Sequence, residues 1–213
     1  VKTGAVRFRR SGKGKPMHGL VNRSLQCFLR DTYGTATWER VAQTAGVGPE
    51  GFEAMLRYDD RVFDRTLDAA ARVLERPHDT ILEDLGTYLV SHPNLESLRR
   101  LLRFGGVTFV DFLHSLEDLP GRGRLAVPDL DLPALELVDP APDRYVLVCR
   151  GQRPGFGPVI VGILRAMADD YGALVLIEQE AAGPDREADT IRIDLLDQSF
   201  AEGRRFELSA RAG

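Results

Sequence analysis

Side chains able to ligate a metal, attack a carbonyl or carry a proton are few in this chain and do not gather in sequence. The four histidines, His18, His78, His92 and His114, show neither an i, i+4 pair nor H-E-x-x-H spacing, so a metal site made only of side chains is not expected. The two cysteines, Cys27 and Cys149, stand far apart and outside any C-x-x-C arrangement. This argues against a zinc site or a disulfide framework and fits a reducing cytoplasm. There is no serine-histidine-aspartate arrangement and no G-x-x-x-x-G-K phosphate loop. The carboxylate pairs Glu117-Asp118 and Asp169-Asp170 fall on helix ends or faces, where solvation accounts for them, and no enzymatic activity is expected. One residue has the setting of a recognition group. Arg153 ends a strand and precedes Pro154-Gly155-Phe156-Gly157-Pro158, a turn into a helix, so its guanidinium lies near helix N-terminal amides, where carboxylates bind well. A plain surface role fits a strand-end arginine equally.

The 213 residues, 43% of them hydrophobic, suffice for one compact domain or two closely packed subdomains. A net charge of -4 argues against nucleic acid as a partner, because phosphate binding needs a concentrated basic face. The basic run Lys2, Arg7, Arg9, Arg10, Lys13 and Lys15 contains no acid and reads as a disordered tail over residues 1–16. No signal or spanning segment is found there, so neither a membrane nor a secreted location is expected.

Two kinds of element must position these groups. From Leu20 to Leu119 apolar residues recur at three- and four-residue intervals, as in Leu20, Leu25, Phe28, Leu29 and again Ile81, Leu82, Leu85, Leu89, the period of helices. Thr80 with Glu83 and Thr108 with Asp111 have capping-box spacing and predict helix starts. Breaks at Tyr33-Gly34, Gly46 to Gly51, His92-Pro93 and Gly105-Gly106 divide the helices, and the last of them, over 107–119, ends at Pro120. After Pro133 the period becomes two. Leu135 and Leu137, then Tyr145, Leu147 and Cys149, predict a hairpin turning over Asp139 to Asp143. A helix from about Phe156 to Tyr171 presents Val159, Ile160, Ile163, Leu164 and Met167 on one face, and Gly162 within it marks close approach to a neighbour. Leu174 to Glu178 and Ile191 to Leu195 give two further strands. Helices followed by β-β-α-β-β predict an α+β fold with an antiparallel sheet: a domain over 17–197, helical over 17–119 and sheet-bearing over 120–197, then an extension over 198–213.

Several motifs together resemble the haem-NO/oxygen-binding (H-NOX) family, whose members include the sensor domain of soluble guanylate cyclase. They are MHGLVN at Met17, Tyr33-Gly34-x3-Trp38, Leu116-Glu117-Asp118-Leu119 followed by Pro128 and Pro133, and Arg153-x5-Val159-Ile160-Val161-Gly162-Ile163-Leu164. The resemblance covers roughly Met17 to Asp197. It implies a natural start at Met17, and a helical lobe and a sheet lobe that hold haem b between them. It also implies a lobe shift read by a partner, a histidine kinase or a cyclic-nucleotide or dinucleotide cyclase. Since the chain stops soon after its last strand, such signalling is expected in trans. The resemblance places the iron-binding histidine at Pro120, the propionate-binding Tyr-x-Ser-x-Arg motif at Cys149, Gly151 and Arg153, a haem-packing proline at Pro133, and the gas pocket at Val21, Leu85, Leu89 and Val159.

The chain departs from the family at decisive points. Proline has no donor atom for iron, and Cys149 and Gly151 replace two hydroxyls. His114, six residues before Pro120, would lie about 120° round a helix and about 9 Å along it, out of reach. Cys149 maps to the pocket rim and reads as a buried inert thiol. Haem is therefore expected to be absent or weakly held. The expected function is that of a stand-alone sensory or regulatory protein with an inter-lobe pocket for an apolar or tetrapyrrole-like ligand anchored by Arg153; the alternatives are a ligand-free interaction module, or haem held by other contacts. Collapse of the pocket would bring Phe112, Leu116 and Leu135 into the vacated space, with the C-terminal end of the helix over 107–119 facing the helix that begins near Phe156 across the sheet edge.

Overall fold

Apolar residues three and four apart drive the N-terminal part of the chain into helices that bury one face each. A computed structural model describes residues 16–151, 156–180 and 188–204. Its helices begin with α1 (Gly19–Tyr33), α2 (Thr35–Ala45), α3 (Asp60–Leu74), α4 (His78–Ser91) and α5 (Glu96–Arg103). The glycine and proline breaks fall where expected. Gly46 caps α2 in the left-handed region at φ 67°, which a residue with a side chain rarely adopts. Two short strands, β1 (Met17–His18) and β2 (Arg57–Tyr58), pair antiparallel and are too brief to leave a periodic signal.

Three expectations are corrected. Thr80 does not cap a helix: α4 already starts at His78 with Pro77 as N-cap, and Asp79 supplies the negative charge favoured in a first turn. The helix expected over 107–119 is shorter. It runs as α6 (Phe109–Ser115), opened by the Thr108–Asp111 capping box, then tightens into a 3-10 turn over Leu116–Asp118. Pro120 does not end it. A new helix, α7 (Leu119–Ala126), holds Pro120 in its first turn, where the missing N–H is one that no helix residue would have bonded. The Phe109 and Phe112 rings of α6 lie 6.2 and 5.9 Å from that of Tyr171, the last residue of the helix that begins at Phe156.

The C-terminal part is β3 (Ala134–Ala141), β4 (Arg144–Arg150), α8 (Phe156–Tyr171), β5 (Leu174–Glu180) and β6 (Ala188–Asp197). The strands form one antiparallel four-stranded sheet in the order β3-β4-β6-β5. The hairpin turn is tighter than expected, with β3 running to Ala141 and Asp143 turning at φ 58°. Leu135, Tyr145, Leu147, Cys149, Ile191 and Ile193 point to one face and form a core with α6 and α8. A second core joins α1, α2, α3 and α4 around Trp38 and Phe28. Val159 packs against both.

The two cores meet where α4 crosses α8. A Cβ on Gly86 would stand 2.1 Å from the Val159 carbonyl oxygen, and one on Gly162 2.0 Å from that of Glu83, so the helices touch through their backbones. Thr87 Oγ1 donates to the Gly162 carbonyl at 3.4 Å, and Arg165 pairs with Glu83 beside the crossing. At its other end α8 is tied to α5 by Arg99 and Asp170, both 4% exposed and 2.8 Å apart, with Arg103 stacked 3.7 Å over the Tyr171 ring. A buried pair of this kind holds mainly because neither partner can be removed alone without stranding a charge. Among the described residues no helix is long and apolar enough to cross a membrane.

Candidate functional site

Arg153 lies outside the described residues, as do Pro154, Gly155, the basic run from Lys2 to Lys15 and the extension beyond 204; the other site residues singled out in the sequence have definite places. Pro120 and Pro133 are both buried, one in the first turn of α7 and the other just before β3. The loop between them folds back on α7, where a Cβ on Gly123 would stand 2.7 Å from Leu132. It also reaches the N-terminal strands: Asp129 pairs with Arg57 at 3.2 Å. Leu85 and Leu89 on α4 and Val159 on α8 come together beside the helix crossing, with Leu85 buried and the other two half-buried. Val21 on α1 is half-buried. Gly151 is exposed just beyond β4.

Cys149 belongs to the other core, with Phe112, Leu116, Leu135 and Leu147. Burial, with the charge of Asp189 opposite it in the sheet, pushes its thiol up to about 12. At pH 7.5 only about one part in ten thousand or less is thiolate, so this sulfur neither attacks electrophiles nor binds metal readily. A maleimide at that pH is expected to label half-buried Cys27 and to reach Cys149 only after unfolding. Rapid labelling of both in the folded protein, read by mass spectrometry, would show Cys149 to be open.

Asp189 is not legible in sequence as a site residue, yet it holds the position where a ligand carboxylate was expected. Its Oδ2 accepts from the Gly157 amide in the first turn of α8 at 3.1 Å, so the helix N-terminus already carries a carboxylate from its own chain. Burial pushes Asp189 above the usual carboxylate range, against the lowering effect of that hydrogen bond, and Asp79 adds repulsion. A Cβ on Gly157 would press on Gln179 and Asp189, leaving little space beside this amide.

His114 lies half-exposed, with Nε2 3.6 Å from Asp139, and reads as a solvated histidine. Among the described residues no group of three or more His, Cys, Asp or Glu side chains could hold a metal ion. The residues present do not fit a histidine-ligated haem. Pro120, where the resemblance puts the proximal ligand, is a carbon ring packed into a helix start, Cys149 and Gly151, where it puts the hydroxyls, are a buried neutral thiol and a glycine, and Phe112, Leu116 and Leu135 are no more than 7% exposed, so no sizeable void reaches them.

Two surface grooves lie elsewhere, on either side of the C-terminal half of α4, and share Thr87 and Ser91. One, of about 420 Å3, separates α4 from Arg165, Ala166 and Asp169 of α8. The other, of about 540 Å3, is walled by Phe28, Tyr33, Tyr88 and His92. The Tyr88 hydroxyl donates to Asp31 Oδ2 at 2.7 Å; burial first, and then this bond, push it far above the usual phenol range. Neither groove is lined by Val21, Leu85, Leu89 or Pro133.

Comparison with known proteins gives a consistent result. The profile of the haem-NO-binding family matches residues 18–179. Soluble guanylate cyclase 89Db of Drosophila melanogaster is 23% identical over 158 residues, covering 74% of this chain and 24% of the relative. Soluble guanylate cyclase gcy-31 of Caenorhabditis elegans is 24% identical over 163 residues, covering 76% and 23%. The chain thus spans about a quarter of the length of these relatives. Among solved structures, a single-site mutant of T. Tengcongensis H-NOX superposes with a TM-score of 0.72 at 16% identity, over 86% of this chain and all of that one. An oxygen-binding H-NOX domain related to soluble guanylate cyclases superposes at 0.64, with 16% identity, over 89% of this chain and all of that one.

Proposed function

The chain belongs to the haem-NO-binding family, and from that premise we propose that it is a regulatory domain of the sensor fold that works through protein contacts, without the family's histidine-ligated haem. The fold is that of a sensor domain and not of a catalytic one. The observation that carries the proposal is Pro120, buried in the first turn of α7 with no side-chain atom that can bind a metal, at the position where the resemblance puts the iron ligand. Closed packing around Phe112, Leu116 and Leu135 and the Asp189 carboxylate on the α8 amide support the same reading. They also count against a carboxylate-bearing ligand anchored by Arg153, because that ligand would have to displace a charge already in place. The family's partners, a cyclase or a histidine kinase acting in trans, are the class of protein proposed to read this surface. The grooves flanking α4 suit that role, since they border the helix crossing that joins the two cores. Cytoplasmic residence is proposed on the free thiols Cys27 and Cys149.

The test is a haem titration of wild type and Pro120→His, followed in the Soret region. Histidine is tolerated in a first helix turn, so the variant restores the ligand without breaking α7. Neither protein is expected to take up haem tightly, because the cavity as well as the ligand is gone. Stoichiometric binding by Pro120→His alone would show an intact pocket and overturn the contact-only reading in favour of a ligand site.

A further inference from the structure

The four-stranded sheet has β3 at one edge and β5 at the other. An edge strand presents unpaired N–H and C=O groups on which another strand can build, and proteins blunt such edges with proline, a bulge, charge or a covering element. β3 is blunted in each of these ways. It contains Pro140, its register with β4 breaks between Val138 and Ala141, and the 3-10 turn over Leu116–Asp118 packs against it. From that turn the Glu117 carboxylate accepts from the Leu137 amide at 2.9 Å. β5 is different. Its sequence, LVLIEQE, has neither proline nor cation, and from Val175 to Glu180 it pairs with β6 in unbroken register. Among the described residues no strand pairs with its other side.

Apolar surface borders this free edge. Val175 and Ile177 turn inward to the core with α8, and since side chains alternate along a strand, Leu174 and Leu176 point to the open face, 37% and 49% exposed. Leu196 of β6, 64% exposed, lies where the register shifts beside Leu174. The arginines of the open face are matched by acids across the strands, as Arg144–Asp194, Arg150–Glu136 and Arg192–Glu180. Asp194, the cross-strand neighbour of Leu176, is thus neutralised, and a like surface can approach Leu176 without meeting an unmatched charge there.

We propose that β5 is the strand through which two copies of this chain pair, antiparallel about a two-fold axis at Leu176, so that their sheets become one. Self-complementarity selects a second copy as the occupant. Centred on Leu176, the pairing sets that leucine against its twin on the open face and Val175 against the second copy's Ile177 on the inner face, apolar against apolar on both. Centred on Ile177 it would set Leu174 and Leu176 against carboxylates, and centred on Glu178 it would oppose two like charges. Because β3 is guarded, β5 can add only to another β5, and such a contact closes at two chains and does not grow into a filament.

Sedimentation velocity of the full chain over a range of concentrations tests this. Wild type is expected to be largely dimeric by about 100 µM, in keeping with an interface below about 1,200 Å2. Leu176→Lys sets a charge against its own copy at the axis and should weaken the dimer about tenfold or more. Its melting temperature at low concentration should match that of wild type, because the side chain is half exposed in a single chain. Val138→Lys, at a similarly exposed site on the guarded edge, should leave the dimer intact. Cross-linking gives a second readout. Residues directly opposite in an antiparallel pair have Cα atoms about 4.5–5.5 Å apart, within disulfide reach, so oxidation of Leu176→Cys should join two chains through residue 176 while Glu178→Cys should not. A wild type that stays monomeric, leaving the edge to a strand of another protein, would overturn the proposal. So would a dimer that Leu176→Lys leaves unchanged or that Val138→Lys breaks as readily. Should Leu176→Lys fail to fold, the cross-links decide: joining through residue 178 and not 176 contradicts the pairing.

Discussion

Gly162→Ala is expected to lower the melting temperature by roughly 4–8 °C, although alanine is the better helix former. In an exposed helix the exchange would stabilise by about 1 kcal/mol. Here the new Cβ would stand 2.0 Å from the Glu83 carbonyl oxygen and 2.9 Å from the Thr87 amide, both backbone atoms of α4 that cannot rotate away. The helices must separate, which loosens Val159, Leu85 and the Thr87–Gly162 bond together, and overpacking of this kind costs about 1–3 kcal/mol or more. The steric term wins, for a net loss of about 2 kcal/mol, and it strikes the junction of the two cores. Gly121→Ala is the control, since a Cβ there meets nothing within 4 Å on the exposed face of α7, and it should leave the melting temperature unchanged or slightly raised. If both substitutions behave alike in thermal unfolding, the close crossing of α4 and α8 is not the contact that joins the two cores.

Much of this crossing is legible in sequence and part of it is not. The glycine at 162 inside an apolar helix announces close approach, and α8 runs from Phe156 to Tyr171 as its apolar spacing predicts. Gly86 gives no such signal, because one glycine in α4 looks the same whether it faces solvent or another backbone. The change of period at Pro133 separates helices from the four-stranded sheet correctly, since alternation and three-to-four spacing are properties of the chain alone. Pro120 reads as a stop in sequence because a proline ends a helix in its interior but suits a first turn, and only the 3-10 tightening over Leu116–Asp118 determines which applies. Asp189, Asn22 and Asp170 resemble surface residues in sequence. What sets them apart is tertiary: a helix amide for Asp189, near-complete burial for Asn22, and a buried arginine from another helix for Asp170.

The second large effect is expected in the cofactor. On the proposed reading the resemblance puts the iron ligand at Pro120, which has no side-chain donor, and two propionate donors at Cys149 and Gly151, which lack the hydroxyls. Such losses would act on one small molecule and leave the fold standing, because Phe112, Leu116 and Leu135 are packed in one core. The packing also explains why haem is not expected to return by weaker contacts: it would have to reopen a closed core, forfeiting apolar burial worth about 25 cal/mol per Å2. The direct measurement is the absorption spectrum and iron content of the full chain purified from haem-supplied cells. The account predicts no Soret band and no stoichiometric iron. A stoichiometric haem spectrum that survives gel filtration would contradict it.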